Sequence, residues 1–556
     1  MRSPEVRRDL AVLAALGLIV NSLAARFISL PGYVDAYYYF GGAVQLARGN
    51  GFSEPYLWTY LTPRDPASDA AHRWPSHLYW MPLTSLIAAP FMAAAEALAR
   101  RDLTMSELFR AAQLPFIAIA AALPLVSYGV ARALTSRRRH AWAAALLTLF
   151  SAYYFIYWTT TDAFALFGVA AAAALWLGGR AAQHPNRAGR CLTLAGLAAG
   201  LAHLARADGT LILTCLVVWW LARSLRQQPA PSRAPASPRA WLVPLLGLGL
   251  SYLLVMGPWF ARNLALTGAP IAPGGARTLW LTHYDDFFTY APEQLTPAAY
   301  LAAGWRVILD GKLAALRANL ATLVGVQANV IALPLAAIGA WRLRRHPLLR
   351  LAGFYGLAVF VLMTLVFTFP GARGGYYHSG AALLPFLLAA AVVGLDAVVD
   401  ATARRLPHWQ PERAKRMFAA LWIGSIVIMA GLLFSSEAVG LGGRPAWRQR
   451  DLVYAEMGSW LASQGEAEAV VAVNNPPGWY YFTGQAAIVI PAGDIETLLT
   501  AMDSVAAPWL ALDANHPADL ADLYAAPDSD ARLTLRATFG DGAGRPLYLL
   551  RRGAAP

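Results

Sequence analysis

The stretch LAVLAALGLIVNSLAARFISL, residues 10–30, decides the fold class, and PGYVDAYYYF, residues 31–40, follows it directly. A helix needs about 20 mostly apolar residues to cross a bilayer, and residues 10–30 supply them. The apolar core of a secretory signal is shorter, about 7–15 residues. Because Arg2, Arg7 and Arg8 precede the stretch, we interpret it as an uncleaved first membrane span that starts in the cytoplasm.

The composition of the whole chain indicates the same class of protein. Of its 556 residues, 57% are hydrophobic and 14% are charged, and the mean hydropathy is +0.43. An ordinary soluble domain carries about 25% charge, so these values exclude a soluble enzyme of average composition. The formal net charge of +13 is almost all arginine and does not indicate nucleic acid binding. Cys191 and Cys215 lie in separate apolar runs and are interpreted as packing residues.

Apolar segments of spanning length recur along the chain. The predicted spans are 10–30, 111–134, 141–158, 163–180, 191–205, 209–225, 241–260, 320–341, 350–369, 379–400 and 416–435. One further segment, 78–98, is also long enough. If it does not cross, every arginine cluster between the spans falls on the same side as the N-terminus, as the positive-inside rule requires. We therefore predict about eleven spans, with 78–98 as a helix lying at the outer interface of the membrane.

The segments outside the spans predict a second domain. Two outer loops are long, 31–110 and 261–319, and the tail 440–556 has more acidic than basic residues. Its short apolar runs 469–473, 487–490 and 509–512 predict strands, and 494–502 predicts a helix, which together indicate a small α/β domain. The sequence NNPPGWYY, residues 474–481, predicts a loop leading into a strand. The Pro-rich stretch 227–239 predicts a disordered cytoplasmic loop.

The predicted fold is thus a polytopic α-helical membrane protein with outer interface helices and a C-terminal α/β domain. Residues 1–439 form the predicted membrane domain, and residues 440–556 form the predicted α/β domain outside the membrane. The richness in alanine and arginine suggests a bacterial source. We expect the cytoplasmic, or inner, membrane as the location, with membrane lipids around the spans.

Ionisable residues are costly at membrane depth and therefore mark candidate functional positions. On the predicted layout, the outer loops and outer ends of the spans gather polar and charged side chains on one side of the membrane. They are Asp35, His77, Asp162, Arg206, Asp208, Arg262, Arg373, Tyr376 and His378.

The order of these residues resembles the GT-C membrane glycosyltransferases. The resemblance is to the branch of family 39 that contains the protein mannosyltransferases and aminoarabinose transferases. It covers Asp35, the run AVQLARGNGF at 43–52, Asp162, ARADG at 205–209, PWFARN at 258–263 and the α/β tail. The resemblance implies a polyprenyl-phosphate sugar donor, a lipid, glycan or protein acceptor on the outer side, and a catalytic carboxylate in the first outer loop. It leaves metal dependence open, and the sequence predicts no metal ligand.

The chemistry of such a transfer assigns roles to the candidate residues. A base must take the proton from the acceptor hydroxyl, and Asp35, among aromatic residues at a membrane interface, is the best candidate. Cations must hold the charge on the departing phosphate, and a guanidinium fork matches phosphate oxygens, which favours Arg206, Arg262 and Arg373. The remaining five residues are expected to line the pocket: Asp162, Asp208, His77, Tyr376 and His378.

Structural roles are the alternatives for several of these residues. Asp35 could cap a helix over 36–48, and Asp162 could cap the fourth span. Arg206 and Asp208 are close enough in sequence to pair with each other, and Arg262 could be an interface anchor. For the whole protein, the alternatives to a transferase are a transporter or flippase of lipid-linked or small solutes, and an inactive scaffold that presents the tail.

Overall fold

The computed structural model describes residues 3–63, 65–226, 239–406, 408–441, 447, 451–541 and 543–553. The loop predicted at 227–239 lies almost wholly outside these residues. The chain divides into two compact units. Unit 1 contains Met1–Ala25, Phe116–Arg262 and Lys312–Phe434, and unit 2 contains Arg26–Pro115, Asn263–Gly311 and Ser435–Pro556.

The chain is a polytopic α-helical membrane protein, as predicted. Within the described residues, nine helices are long and apolar enough to cross a membrane. They are Pro4–Phe27, Met105–Thr135, Ala163–Gln183, Pro185–Ala205, Ala207–Leu225, Trp241–Thr267, Pro347–Val366, Thr368–Ala403 and Pro411–Val439. A tenth candidate is a pair, Trp305–Gln327 and Ala332–Arg342, bent by 86°.

Two predicted segments take a different form. The predicted span 141–158 is a 13-residue helix, Arg138–Phe150, followed by a 3-10 helix, Ala152–Tyr157. The helix ends there because Ser151 and Ala152 have positive φ angles of 24° and 44°, which redirect the chain. The predicted interface segment 78–98 contains the 17-residue helix Leu83–Ala99, which is shorter than the spans. Its position at the membrane interface stays a prediction.

In unit 1, two helices cross in backbone contact. A Cβ on Gly339 would lie 1.8 Å from the Ala390 carbonyl oxygen, and one on Gly394 would lie 1.8 Å from that of Leu335. Only glycine allows this approach between helices Ala332–Arg342 and Leu384–Ala403. Small residues permit such close packing where no hydrophobic force drives helices together.

Buried carboxylates hold the start of helix Arg138–Phe150 in unit 1. Three consecutive arginines surround this N-terminus, where the helix dipole disfavours positive charge. Asp9 compensates Arg138 through bonds of 2.6 and 2.7 Å. Asp396 binds Arg139 and lies 2.7 Å from His140 Nε2. The first helix, Pro4–Phe27, and helix Leu384–Ala403 are thereby tied to the same turn.

Unit 2 is built around a six-stranded sheet of order β2-β5-β4-β6-β8-β7. A separate antiparallel pair joins β1 (Ser53–Glu54) to β3 (Trp74–Pro75). The strands of the large sheet are β2 (Tyr56–Leu57), β4 (Val471–Val473), β5 (Ala487–Val489), β6 (Trp509–Leu512), β7 (Leu533–Gly540) and β8 (Pro546–Arg552). Strands β2, β5, β4 and β6 are parallel, and β8 and β7 run antiparallel to their neighbours.

The predicted tail strands and helix are confirmed, with helix Ile495–Ser504 at the expected place. The loop predicted at 474–481 is wrong: residues Pro476–Thr483 form a helix. Asn475 caps it by accepting a 3.0 Å bond from the Gly478 amide. The two prolines occupy the first helical turn, where a missing N–H costs nothing.

Strand β2 belongs to the first outer loop but lies at the edge of the tail's sheet. Tyr56 pairs with Ala487, and Leu57 pairs with Ile488. The Tyr60 hydroxyl also donates a 2.6 Å bond to the Val489 carbonyl oxygen. The boundary predicted at residues 439 and 440 stays a prediction, and unit 2 joins both outer loops to the tail.

The remaining α-helices of the described residues lie in unit 2. They are Val34–Ala47, Pro66–Ala71, Pro273–Arg277, Pro297–Ala302, Leu452–Ser463 and Ala521–Ala525.

We expect Asp396→Asn to destabilise unit 1. The amide would leave Arg139 and His140 without their buried counter-charge, and removal of one partner of a buried ion pair costs about 3 kcal/mol or more. Thermal unfolding in detergent should show a clearly lowered midpoint. Glu412→Gln is the matched control, because its 2.7 Å pair with Lys415 is at the surface on the glutamate side. Equal midpoints for the two variants would contradict the role given to Asp396.

Candidate functional site

In unit 2, Asp35 lies in the first turn of helix Val34–Ala47. The cap position is Tyr33, whose extended backbone makes no side-chain capping bond, so the expectation that Asp35 caps a helix over 36–48 is wrong. The approach to this turn needs glycine: Gly32 has a φ of 90°, and a Cβ there would lie 2.6 Å from the Trp447 ring. Asp35 is half-buried.

The tyrosines that follow Asp35 are packing residues of unit 2. Burial raises the pKa of the Tyr38 phenol well above its usual range, so it remains protonated. Its hydroxyl accepts a 2.7 Å bond from the His77 amide. The Tyr56 hydroxyl donates to the Tyr38 carbonyl oxygen at 3.1 Å. These bonds fix helix Val34–Ala47 against Tyr56 and His77 of the same segment, 31–110.

His77 is held on both sides of its ring. Nε2 lies 2.9 Å from the Ser85 hydroxyl, which itself donates to the Tyr39 carbonyl oxygen at 2.7 Å. The Ser85 oxygen therefore accepts from Nε2–H, and Nδ1 accepts from Ser76 at 2.8 Å. This network assigns His77 the tautomer with its proton on Nε2. The geometry favours a structural role for His77, although a pocket role stays a prediction.

In unit 1, a break in helical structure carries three of the predicted residues. Residues Gly371–Gly375 form a π-helical turn in which Arg373 and Gly374 leave helical geometry. Gly374 has a φ of 130°, a conformation that side chains rarely adopt. Helix Tyr376–Gly380 follows directly. Irregular backbone at membrane depth is tolerated where protein encloses it or where it lines a cavity.

Asp162 and His378 meet in unit 1. Asp162 caps helix Ala163–Gln183 by accepting from the Ala163 amide, so its expected capping role is confirmed. His378 Nε2 lies 3.4 Å from both carboxylate oxygens of Asp162. The His378 ring stacks on Phe164 with a centroid distance of 3.6 Å. Asp162 and His378 are 1% and 7% exposed, so this pair is shielded from bulk water.

The His378 tautomer makes this contact chemically notable. Nδ1 lies 2.9 Å from the Gly374 carbonyl oxygen, which can only accept. Nδ1 therefore carries a proton, and in neutral imidazole Nε2 presents a lone pair to the Asp162 carboxylate. Two acceptors face each other unless Nε2 is protonated or a cation lies between them. A histidine that donates through Nδ1 to a carbonyl is the usual arrangement for metal binding through Nε2.

The spacing of the pair also fits a cation. Two ligands held about 2.0–2.1 Å from a tetrahedral ion lie roughly 3.4 Å apart, and His378 Nε2 and the Asp162 oxygens are 3.4 Å apart. Asp162 and His378 are therefore the residues of unit 1 that could hold a divalent ion.

The pair of Arg206 and Asp208 lies next to the same turn. Arg206 Nε donates a 2.9 Å bond to Asp208 Oδ1, and both side chains are largely buried. The other oxygen of Asp208 contacts the Ser379 hydroxyl. The expected pairing of Arg206 with Asp208 is confirmed, and it connects Arg206 to the residue after His378.

The other candidates of unit 1, Arg262, Arg373 and Tyr376, differ in their contacts and in their exposure. The Arg262 guanidinium lies 4.5 Å from the centroid of the Trp259 ring. Arg373 is exposed, whereas Tyr376 is 2% exposed and its carbonyl oxygen accepts a 3.3 Å bond from Gln327. Tyr376 therefore packs, and Arg373 is accessible to a ligand.

The structure thus gathers much of the predicted set around residues 371–380. The gathered residues are Asp162, Arg206, Asp208, Arg373, Tyr376 and His378. Sequence reasoning missed Ser379 and Phe164. A serine beside a histidine gives no signal of its own, and a phenylalanine in a span is indistinguishable from a lipid-facing residue.

Comparison with known proteins adds evidence on the fold. No protein-family model matches the chain, and no curated protein matches it. Several solved structures do match the chain in fold. ArnT from Cupriavidus metallidurans in the apo state is 14% identical with a TM-score of 0.53, over 97% of each chain.

A second solved structure is similar to the same extent. The archaeal oligosaccharyltransferase AglB from Archaeoglobus fulgidus, in complex with an inhibitory peptide and a dolichol-phosphate, is 12% identical with a TM-score of 0.53. The match covers 98% of this chain and 74% of AglB. At such identities the similarity concerns the fold. The chain therefore has the GT-C fold of polytopic membrane glycosyltransferases, as its sequence predicts.

Proposed function

We propose that the chain is a glycosyltransferase that moves a sugar from a polyprenyl-phosphate donor to a hydroxyl acceptor, with inversion at the sugar carbon. The observation that carries the proposal is the buried cluster of acid, imidazole and guanidinium groups at the break near Gly374, within a GT-C fold. The solved AglB structure with that fold contains a dolichol-phosphate, a lipid of the proposed donor class.

The proposed reaction is a single displacement. The acceptor oxygen attacks C1 of the sugar, the bond from C1 to the phosphate oxygen breaks, and polyprenyl phosphate leaves with the electron pair. Asp35 takes the acceptor proton as general base. Inversion follows because one attack occurs opposite the leaving group.

The departing phosphate needs positive charge beside it. Arg206, Arg262 and Arg373 are the proposed partners, because planar guanidinium groups bind phosphate oxygens in pairs. Arg373 is exposed beside the break, and Arg206 is held there by its 2.9 Å bond from Nε to Asp208. Asp208, through Ser379, holds Arg206 and the turn of His378 in a fixed relation.

Asp162 and His378 are proposed to hold a divalent cation. When bound, such an ion supplies a Lewis acid that polarises a phosphate oxygen. The residues themselves orient it: Gly374 accepts from His378 Nδ1 and turns Nε2 toward Asp162, and Phe164 holds the ring in plane.

The acceptor is proposed to be a lipid, glycan or protein on the outer face of the bacterial cytoplasmic membrane. This location follows from the arginine clusters of the sequence, which favour a cytoplasmic N-terminus and an outer tail. The family-39 assignment belongs to the same proposal.

Asp35→Asn should lower the rate of sugar transfer about 100-fold or more, because loss of a general base typically costs that much. The measurement is transfer of labelled sugar from polyprenyl phosphate in nanodiscs. Asp102→Asn is the matched control, since Asp102 is an exposed acid of the same outer loop. Full activity of the Asp35 variant would remove Asp35 as the base. Passage of the lipid-linked sugar across the bilayer without any transfer product would favour a flippase instead.

Arg373→Ala should lower kcat/KM for the donor about 100-fold, because one well-placed donor to a developing oxyanion contributes roughly that factor. Arg373→Lys should recover part of the loss, since an ammonium keeps the charge but not the fork. Arg405→Ala, an exposed arginine outside the cluster, serves as control. Unchanged donor kinetics in Arg373→Ala would exclude Arg373 from the phosphate site.

Removal of divalent ions should abolish transfer, and their return should restore it. The assay compares enzyme treated with EDTA, then supplied separately with Mg²⁺, Mn²⁺ or Zn²⁺. Isothermal titration of the same ions should show binding that is lost in Asp162→Asn and His378→Ala. If EDTA leaves the rate unchanged and no ion binds, the pair acts as imidazolium and carboxylate, and the metal role is wrong.

A further inference from the structure

The order of the tail's parallel strands creates a topological switch point between β4 and β6. The chain runs from β4 through helix Pro476–Thr483 to β5 on one side of β4, and then from β5 through helix Ile495–Ser504 to β6 on the other side. The two connections therefore run in opposite directions along the sheet. In open α/β sheets, ligands bind at such a switch point, outside the carboxyl ends of the diverging strands.

Polar side chains stand at this switch point. Asn474 follows β4 directly, and Asp513 follows β6 directly. Asn474 Nδ2 donates to Asp513 Oδ1, which also accepts a 2.8 Å bond from the Asn515 amide. These bonds orient both side chains at the carboxyl ends of neighbouring strands.

Two oxygens of this pair remain available. Within the described residues, Asp513 Oδ2 and Asn474 Oδ1 make no hydrogen bond, and both are accessible to solvent. Asp513 is half-buried, and this burial raises the pKa of its carboxyl. A desolvated acceptor gains more from a ligand donor than an exposed one does.

The groups at the switch point select the class of ligand. The helix after β4 begins with two prolines, which carry no N–H. The Gly478 N–H is already bonded to Asn475, so the first turn offers few of the N–H groups that hold phosphates at such positions. The Asp513 carboxylate would also repel an anion. Uncharged hydroxyl groups fit instead, because they can donate to Asp513 and accept from an amide. The ring of His516, packed on Tyr524 with a centroid distance of 4.8 Å, adds an aromatic surface three residues after Asp513.

We propose that Asn474, Asp513 and Asn515, at the switch point of the tail's sheet, bind a neutral sugar unit and form a glycan-binding site separate from the transfer site. The choice of a sugar among hydroxyl-bearing ligands rests on the proposed function. The existence of the site rests on the strand order and the open oxygens alone. Such a site would retain a glycan acceptor, or the glycan product, beside the enzyme.

The test uses the full-length protein in nanodiscs on an array of hexose, pentose and N-acetylhexosamine oligosaccharides. We expect binding to at least one class, weakened about 10-fold or more in Asp513→Asn and in Asn474→Ala. Asp519→Asn, an exposed acid of the same tail, should bind like the unmodified protein. Thermal unfolding of each variant checks that the tail remains folded, and Asp513→Asn preserves the shape of the side chain.

Three outcomes would overturn the inference. One is the absence of any array binding, and another is binding that is unaffected by both substitutions in folded protein. The third is stabilisation by Ca²⁺ alone that Asp513→Asn abolishes, with no sugar bound, which would identify a cation site. If the protein binds glycans but transfers no sugar, the glycan-binding site stands and the proposed transferase function is wrong. If it transfers sugar but binds no glycan on the array, the transferase function stands and the glycan-binding site is wrong.

Discussion

One hydrogen bond organises the candidate site of unit 1: the bond from His378 Nδ1 to the Gly374 carbonyl oxygen, 2.9 Å long. It forms at the π-helical turn, where Arg373 and Gly374 leave helical geometry and Gly374 takes a positive φ. The same bond assigns the tautomer and turns Nε2 toward Asp162. The buried nitrogen Nε2 is thus directed at the Asp162 carboxylate by a bond made at the break in the helix.

The charges around this turn are arranged so that few are left uncompensated. Asp208 accepts from Arg206 and contacts Ser379, while Asp162 faces His378. Burying an unpaired charge costs several kcal/mol, so such pairs are required for the turn to be stable. They also restrict function, because a guanidinium that is partly neutralised binds phosphate less strongly than an isolated one. Arg373 is exposed at the break, which makes it the most accessible of the three proposed phosphate partners.

The membrane-spanning helices and the strands of the tail could be predicted from the sequence, because each depends on the apolar residues within its own segment. Predictions failed where a distant contact decides the structure. Strand β2 forms only because β5, about 430 residues later, offers an edge, and nothing within residues 56–57 predicts it. The prolines at 476 and 477 favoured a loop, yet the Asn475 cap makes them the start of a helix. Residue types at the ends of the spans indicated most of the site, but the contacts of Ser379 and Phe164 depend on folding.

The setting of Asp35 bears on which step of the proposed reaction is difficult. Asp35 lies in the first turn of helix Val34–Ala47, and any carboxylate is a far weaker base than the alkoxide of an alcohol acceptor. A weak base cannot strip an alcohol before attack begins. Proton transfer must then follow bond formation at C1, after the sugar has lost most of its bond to phosphate. Under that order the barrier depends chiefly on stabilising the leaving phosphate, which is the task that the guanidinium groups near Gly374 are suited to perform.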